Sequence, residues 1–163
     1  MINNKKLKWM LVVAVSFAAS NVFACSFEKM EEFIYDSKKV QEVKLATPIV
    51  KVEGILRGNW SLFNSCSDAG IVTISVTVPK DLKVSIKDYG VHFRVISGID
   101  GDEIIPDQVM DTNDFVDNYK TFSFPWLDGD DIFQEPIHLK VEVTLVSKEG
   151  FVSEPVIVEI NDD

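Results

Sequence analysis

The chain has little with which to do chemistry. It holds two histidines and two cysteines in 163 residues, and none falls into a zinc-binding His-Glu-x-x-His or a redox Cys-x-x-Cys. A nucleophile elbow and a phosphate-cradling glycine loop are also missing. These absences argue against the common hydrolases, zinc enzymes and nucleotide-binding enzymes, and the chain reads as non-catalytic. Positive charge is scarce too: 16 Lys and Arg stand against 26 Asp and Glu, a net charge of −10. Such a surface repels nucleic acid and anionic membrane. Past residue 24 no apolar run reaches the roughly 20 residues that a spanning helix needs, so no membrane span is expected.

What is there begins with an export signal. Lys5, Lys6 and Lys8 precede an apolar run from Trp9 to Ala19, then Ser20 and Asn21, then Val22-Phe23-Ala24. A basic segment, an apolar segment and a small-residue cleavage site come in the order of a bacterial secretory signal peptide. Residues 1–24 are therefore expected to be cleaved and the mature protein to be periplasmic or secreted. Cleavage removes three lysines and no acid, leaving 13 basic against 26 acidic residues, a net charge of −13.

Cys25 then becomes the first mature residue. Val22-Phe23-Ala24-Cys25 resembles a lipobox, but bulky Phe23 stands where a small residue is usual, and a lipid anchor at Cys25 is the alternative reading. The favoured fate is a disulfide with Cys66, because exported cysteines meet an oxidising compartment. A Cys25–Cys66 bond would close a loop of about 42 residues, worth on the order of 4 kcal/mol. It would staple an N-terminal arm, residues 25–46, to a domain spanning 47–163. The two fates exclude one another, since both need the same sulfur.

Period-two alternation dominates after residue 48. Val72, Ile74, Val76 and Val78 face one way and Thr73, Ser75 and Thr77 the other; Val91, Phe93 and Val95 oppose His92 and Arg94. Phe122, Phe124 and Trp126 share a parity, as do Ile137 to Leu145 and Val156 to Ile160. Side chains alternate across a strand, so each stretch reads as half-buried β. Further strands are expected near Ile49–Glu53 and Ile104–Val109. Turn residues separate them at Pro79-Lys80-Asp81, Gly98 to Gly101, Asp128-Gly129 and Lys148-Glu149-Gly150. With no helices to serve as parallel crossovers, the expected fold is all-β, a single antiparallel sandwich of about seven strands. Residues 26–42 form either a short amphipathic helix through Phe27, Met30, Phe33 and Ile34 or an irregular arm.

The last third carries a resemblance. Leu139-x-Val141-x-Val143-x-Leu145-Val146, Gly150, Ser153 and Pro155 resemble the hairpin of the last two strands in fibronectin type III and immunoglobulin-like domains. The resemblance covers about residues 47–160 and implies a two-sheet sandwich. Leu139 stands where the family's corner tyrosine is usual, and residues 71–78 lack its core tryptophan.

Function is sought where charge is uneven. Residues 100–135 hold eleven acids against Lys120, whereas residues 25–60 hold six of each sign. Calcium takes six to eight oxygen ligands, often on loops, and Asp111, Asp114, Asp117, Asp128 and Asp130 offer carboxylates on two loops flanking one expected strand. The register of an EF-hand is absent. Trp60 and Phe63 precede Cys66 in a loop, where they would either cap the end of the sandwich or anchor a partner. Trp126 is read as core, and His92 and His138 as outer-face residues. The leading reading is an exported, non-catalytic module that binds another exported or surface protein, through the acidic stretch, the Trp60 loop or strand addition at a free sheet edge. The alternatives are an inhibitor or immunity-type protein against a cationic exported enzyme, and a carbohydrate-binding accessory domain.

Overall fold

The alternation becomes seven strands in the computed structural model, which describes residues 30–36, 45–59, 67–79, 86–98, 104–113, 115–129 and 134–162. They are β1 (Ile49–Leu56), β2 (Ala69–Thr77), β3 (Tyr89–Ser97), β4 (Gln108–Asp111), β5 (Tyr119–Leu127), β6 (His138–Ser147) and β7 (Val156–Asn161). One sheet has the order β1-β2-β5 and the other β4-β3-β6-β7, with every pair antiparallel. The chain is thus an all-β sandwich of two packed antiparallel sheets. The proposed signal, residues 1–24, lies outside the described residues, as do Cys25, Trp60, Phe63, Cys66, Asp114 and Asp130. Among the described residues no helix is long and apolar enough to cross a membrane.

The inward parity of each strand forms the core. Val72, Ile74 and Val76 of β2 face Val91 and Phe93 of β3 and Leu139, Val141, Val143 and Leu145 of β6, all essentially without solvent contact. Phe93 joins the layers: its ring meets Phe122 at 5.0 Å and Phe124 at 5.1 Å, both edge-on. Such pairs contribute about 0.5–1.5 kcal/mol each beyond burial. Trp126 stays on the inward parity despite Pro125. Its register partner is Gly70, where a Cβ would lie 2.3 Å from the indole. Pro125 is tolerated because β5 is a sheet edge, with no ladder bond required of its nitrogen on the outer side.

Two expectations shift. The strand expected at Ile104–Val109 forms instead at Gln108–Asp111. Pro106 has no N–H to give a ladder, and Ile104 and Ile105 are buried ahead of the strand as part of the core. The described part of the arm, residues 30–36, is not helical. Phe33 N–H donates to Val109 O (2.9 Å), Asp111 N–H to Glu31 O (2.9 Å) and Asp36 N–H to Lys148 O (3.0 Å). The first two bonds lay the arm along β4 and the third carries it to the turn after β6, with Phe33 buried against Val109 and Val146 and Ile34 89% exposed. Adjacent residues pointing to opposite sides is strand behaviour; a helix would have kept Phe33 and Ile34 nearer to one face.

Candidate interaction surface

The outer faces of the two sheets differ in chemistry. On the four-stranded sheet Arg94 bonds Glu142 (2.7 Å) and Lys140 bonds Glu159 (2.8 Å), so its outer face is charge-laced. The three-stranded sheet presents hydroxyls at its middle, Thr73 and Ser75 of β2 in register with Ser123 and Thr121 of β5. Lys51 and Glu53 of β1 pair with each other at 2.7 Å, and Ser75 donates to Glu53 (2.7 Å). That pairing leaves no net charge on this part of the face.

At one end the same face turns apolar. Leu56, Ile71 and Pro125 stand in one cross-strand row, with Leu127 and Ala69 in the next. All take the parity opposite to the core. Two strand spacings put Leu56 and Pro125 about 10 Å apart. Leu56 is 62% and Leu127 73% exposed. Large side chains gathered on an open sheet face mark an interaction site more often than scattered ones do. The chain segment that joins Leu56 to Ala69 carries Trp60 and Phe63 in its sequence.

Beneath that end lies a polar cluster whose partners are scattered through the sequence. Arg57 donates Nε to Asp128 Oδ2 (2.9 Å) and Nη2 to Asp128 Oδ1 (2.8 Å) and to Glu135 O (3.1 Å), while Nη1 pairs with Asp162. Asp128 also accepts from Gly58 N–H (2.6 Å) and Trp126 Nε1 (3.2 Å). Its side chain is only 3% exposed. Burial pushes the Asp128 carboxyl up, but the Arg57 hydrogen bonds, the Gly58 N–H and the Arg57 charge together hold it below its usual value. Asp162 in turn accepts from Ile137 N–H (2.7 Å). The cluster therefore ties the end of β1, the end of β5, the approach to β6 and the segment after β7.

The acids singled out in the sequence do not come together. Asp117 precedes β5 and Asp128 follows it; nine residues of strand separate them by about 30 Å. One ion cannot take ligands from both loops. Asp117 has φ 51° and Asn118 φ 65°, and Val116 and Tyr119 exchange hydrogen bonds of 3.1 and 2.9 Å across them. This is a two-residue hairpin turn with both central residues left-handed, where Asp and Asn are favoured. Asp111 accepts from Asn113 N–H, a local side-chain turn of the kind aspartate makes. Among the described residues no three His, Cys, Asp or Glu side chains gather to hold a metal.

The histidines are separated too. His92 pairs in register with Thr144, six residues along β6 from His138, or about 20 Å. His92 Nε2 contacts Asp107 Oδ1 at 2.6 Å, and His138 Nδ1 lies 3.4 Å from Asn161 Oδ1. Arg57 was not legible as a cluster centre, because its partners lie 71 to 105 positions downstream; only the alternation-breaking Asp128-Gly129 hinted at the place. Comparison with protein-family models, with curated proteins and with solved structures returns no match to this chain.

Proposed function

We propose that this protein is an exported, non-catalytic binding module that meets another exported or surface protein through the apolar end of its three-stranded sheet. The observation that carries the reading is the apolar row of exposed Leu56 with half-buried Ile71 and Pro125, and exposed Leu127 beside it, on a face without net charge in an otherwise acidic protein. The three-plus-four division of seven strands and the β6–β7 hairpin support a fibronectin III-like or immunoglobulin-like assignment. The sheet face itself spans about 30 by 14 Å, or roughly 400 Å². A stable interface covers about 800 Å² per partner, so adjoining loops must contribute. The segment with Trp60 and Phe63 joins the strands at this end and would supply aromatic anchors of the kind that dominate interfaces.

The test is a pair of charge substitutions, Leu56→Lys and Leu127→Lys, in the mature protein. Both sites are exposed, and melting is expected to shift by no more than about 0.5 kcal/mol in stability. Cross-linking to partners in a periplasmic extract is expected to persist at high salt in the native sequence and to vanish in the double variant. A partner equally well held by the variant, or one released by salt alone, would rule this surface out in favour of exposed ion pairing.

A further inference from the structure

Eight large apolar side chains stand exposed among the described residues, and five of them gather on one surface. Ile34, Ile96 and Ile157 lie apart, on the arm and the four-stranded sheet. Ile49, Leu56, Tyr119 and Leu127 lie on the outer face of the three-stranded sheet. Val116 joins them across the hairpin turn, where its bridge to Tyr119 puts both side chains on one side. The register sorts this face into four full cross-strand rows: Ile49, Thr77 and Tyr119; Lys51, Ser75 and Thr121; Gly54, Thr73 and Ser123; Leu56, Ile71 and Pro125. The outermost rows are mainly apolar and the inner two carry hydroxyls. Both ends of the face, not only the end with Leu56, therefore offer apolar surface.

Such a series of rows is its own complement. Two sheets pack face to face with their strands roughly aligned. A two-fold axis in the plane of contact, running across the strands between the second and third rows, lays the Ile49 row of one copy over the Leu56 row of the other, and hydroxyls over hydroxyls. The same rotation carries Lys51 toward Glu53 of the other copy. These two are already paired within each chain at 2.7 Å, so neither requires a partner; the symmetry sets the two pairs head to tail, and no like charges meet. An axis along the strands would press each pair onto Thr121 and Ser123 instead, taking water from charges without offering opposite ones. The charge of the whole protein favours the same face. Its net charge is −10, whereas Lys51 and Glu53 cancel here, so two copies repel each other least at this surface.

We infer that the outer face of the three-stranded sheet packs against the same face of a second copy, in a two-fold dimer that covers the apolar row until another partner displaces it. This placement rests on the reading of that row as an interaction surface and adds what occupies it first. The sheets alone cover about 400 Å² per copy, half of what a stable assembly needs. The dimer is therefore weak and forms at high concentration, which also leaves it open to displacement.

The test follows the mature protein by sedimentation equilibrium from about 1 μM to 1 mM, with the same samples run denatured without reductant. The average mass is expected to rise from one chain toward two. Lys51→Glu and Glu53→Lys, both surface changes, are each expected to melt close to the native protein and to stay at the mass of one chain, because like charges then face each other across the axis. Mixed in equal parts, the two variants are expected to recover the native rise, since an acidic copy now faces a basic one. The double variant carrying both changes is expected to recover it alone. The assignment is overturned by a native mass that stays at one chain, by a rise retained in either single variant, or by a mixture or double variant that stays monomeric. A dimer that survives denaturation until reductant is added overturns it as well. The charge variants keep Leu56 and Leu127 and are expected to go on cross-linking another protein. A native dimer beside a Leu56/Leu127 variant that still holds that protein would remove the partner reading alone, so the two readings fail separately.

Discussion

Four N–H groups of Arg57 find acceptors on Asp128, Asp162 and the carbonyl of Glu135, and one of these partners carries a pH dependence. The folded Asp128 carboxyl titrates below its usual value, so between the two values the unfolded chain binds more protons than the folded one. Its stabilising contribution is then complete above about pH 4 and fades as pH falls through the folded value. Replacing Asp128 with Asn keeps the shape but gives Arg57 a neutral partner, costing about 2 kcal/mol at pH 7. The variant's urea midpoint is expected to lie below the native one at pH 7 and to converge on it as the pH falls below about 4. Parallel curves at all pH values would mean that the pair contributes no titrating stability. Hydrogen bonds of this strength also explain why a lone arginine holds the end of β1 against strands far away in the sequence.

At the scale of elements, the arm and β4 make a second small core on the outside of the four-stranded sheet. Phe33 rests against Gly90, where a Cβ would lie 2.6 Å from its ring and 2.5 Å from Val109. Gly90→Ala is therefore expected to cost about 1–3 kcal/mol by overpacking, and Phe33→Ala about 3 kcal/mol by leaving a cavity. Because both act on one contact, Gly90→Ala should cost less in the Phe33→Ala background; additive losses in urea unfolding would place their effects elsewhere. The alternation that made β2, β5 and β6 readable is a local property, since one buried face fixes the parity of a whole strand. Strand pairing at edges is not local. Residues 30–36 read equally as helix or arm because their choice is decided by β4, about 75 positions away, and by a glycine that has no meaning until Phe33 lies on it. Asp117-Asn118 is a residue pair that hairpin turns favour, but in the sequence Asp117 was read only as a carboxylate for calcium. The outer-face apolar row Leu56, Ile71, Pro125 and Leu127 was unreadable for a third reason. Its members come from three strands, and only the register brings them together.

At the scale of the molecule, the two ends of the sandwich divide the labour. The end with Asp111, Asp117 and the arm is built of local turns and edge covering. The other carries the Arg57 cluster and the apolar row, and the chain segment with Cys66 also joins its strands there. A disulfide from Cys25 to Cys66 would join the start of the arm to that segment and close a loop of about 42 residues. Its entropic worth is on the order of 4 kcal/mol, comparable to much of a small domain's total stability. On the proposal of export, the protein is expected to begin at Cys25 and to weigh less than its reduced form by the two hydrogens lost on oxidation. Reduction should lower the melting temperature of the native sequence and leave a Cys25→Ser, Cys66→Ser variant unmoved. A mature mass raised by a diacylglycerol group would instead assign Cys25 to the membrane. It would also remove the staple, and the arm would then be held to β4 by Phe33 and its backbone bonds without covalent help.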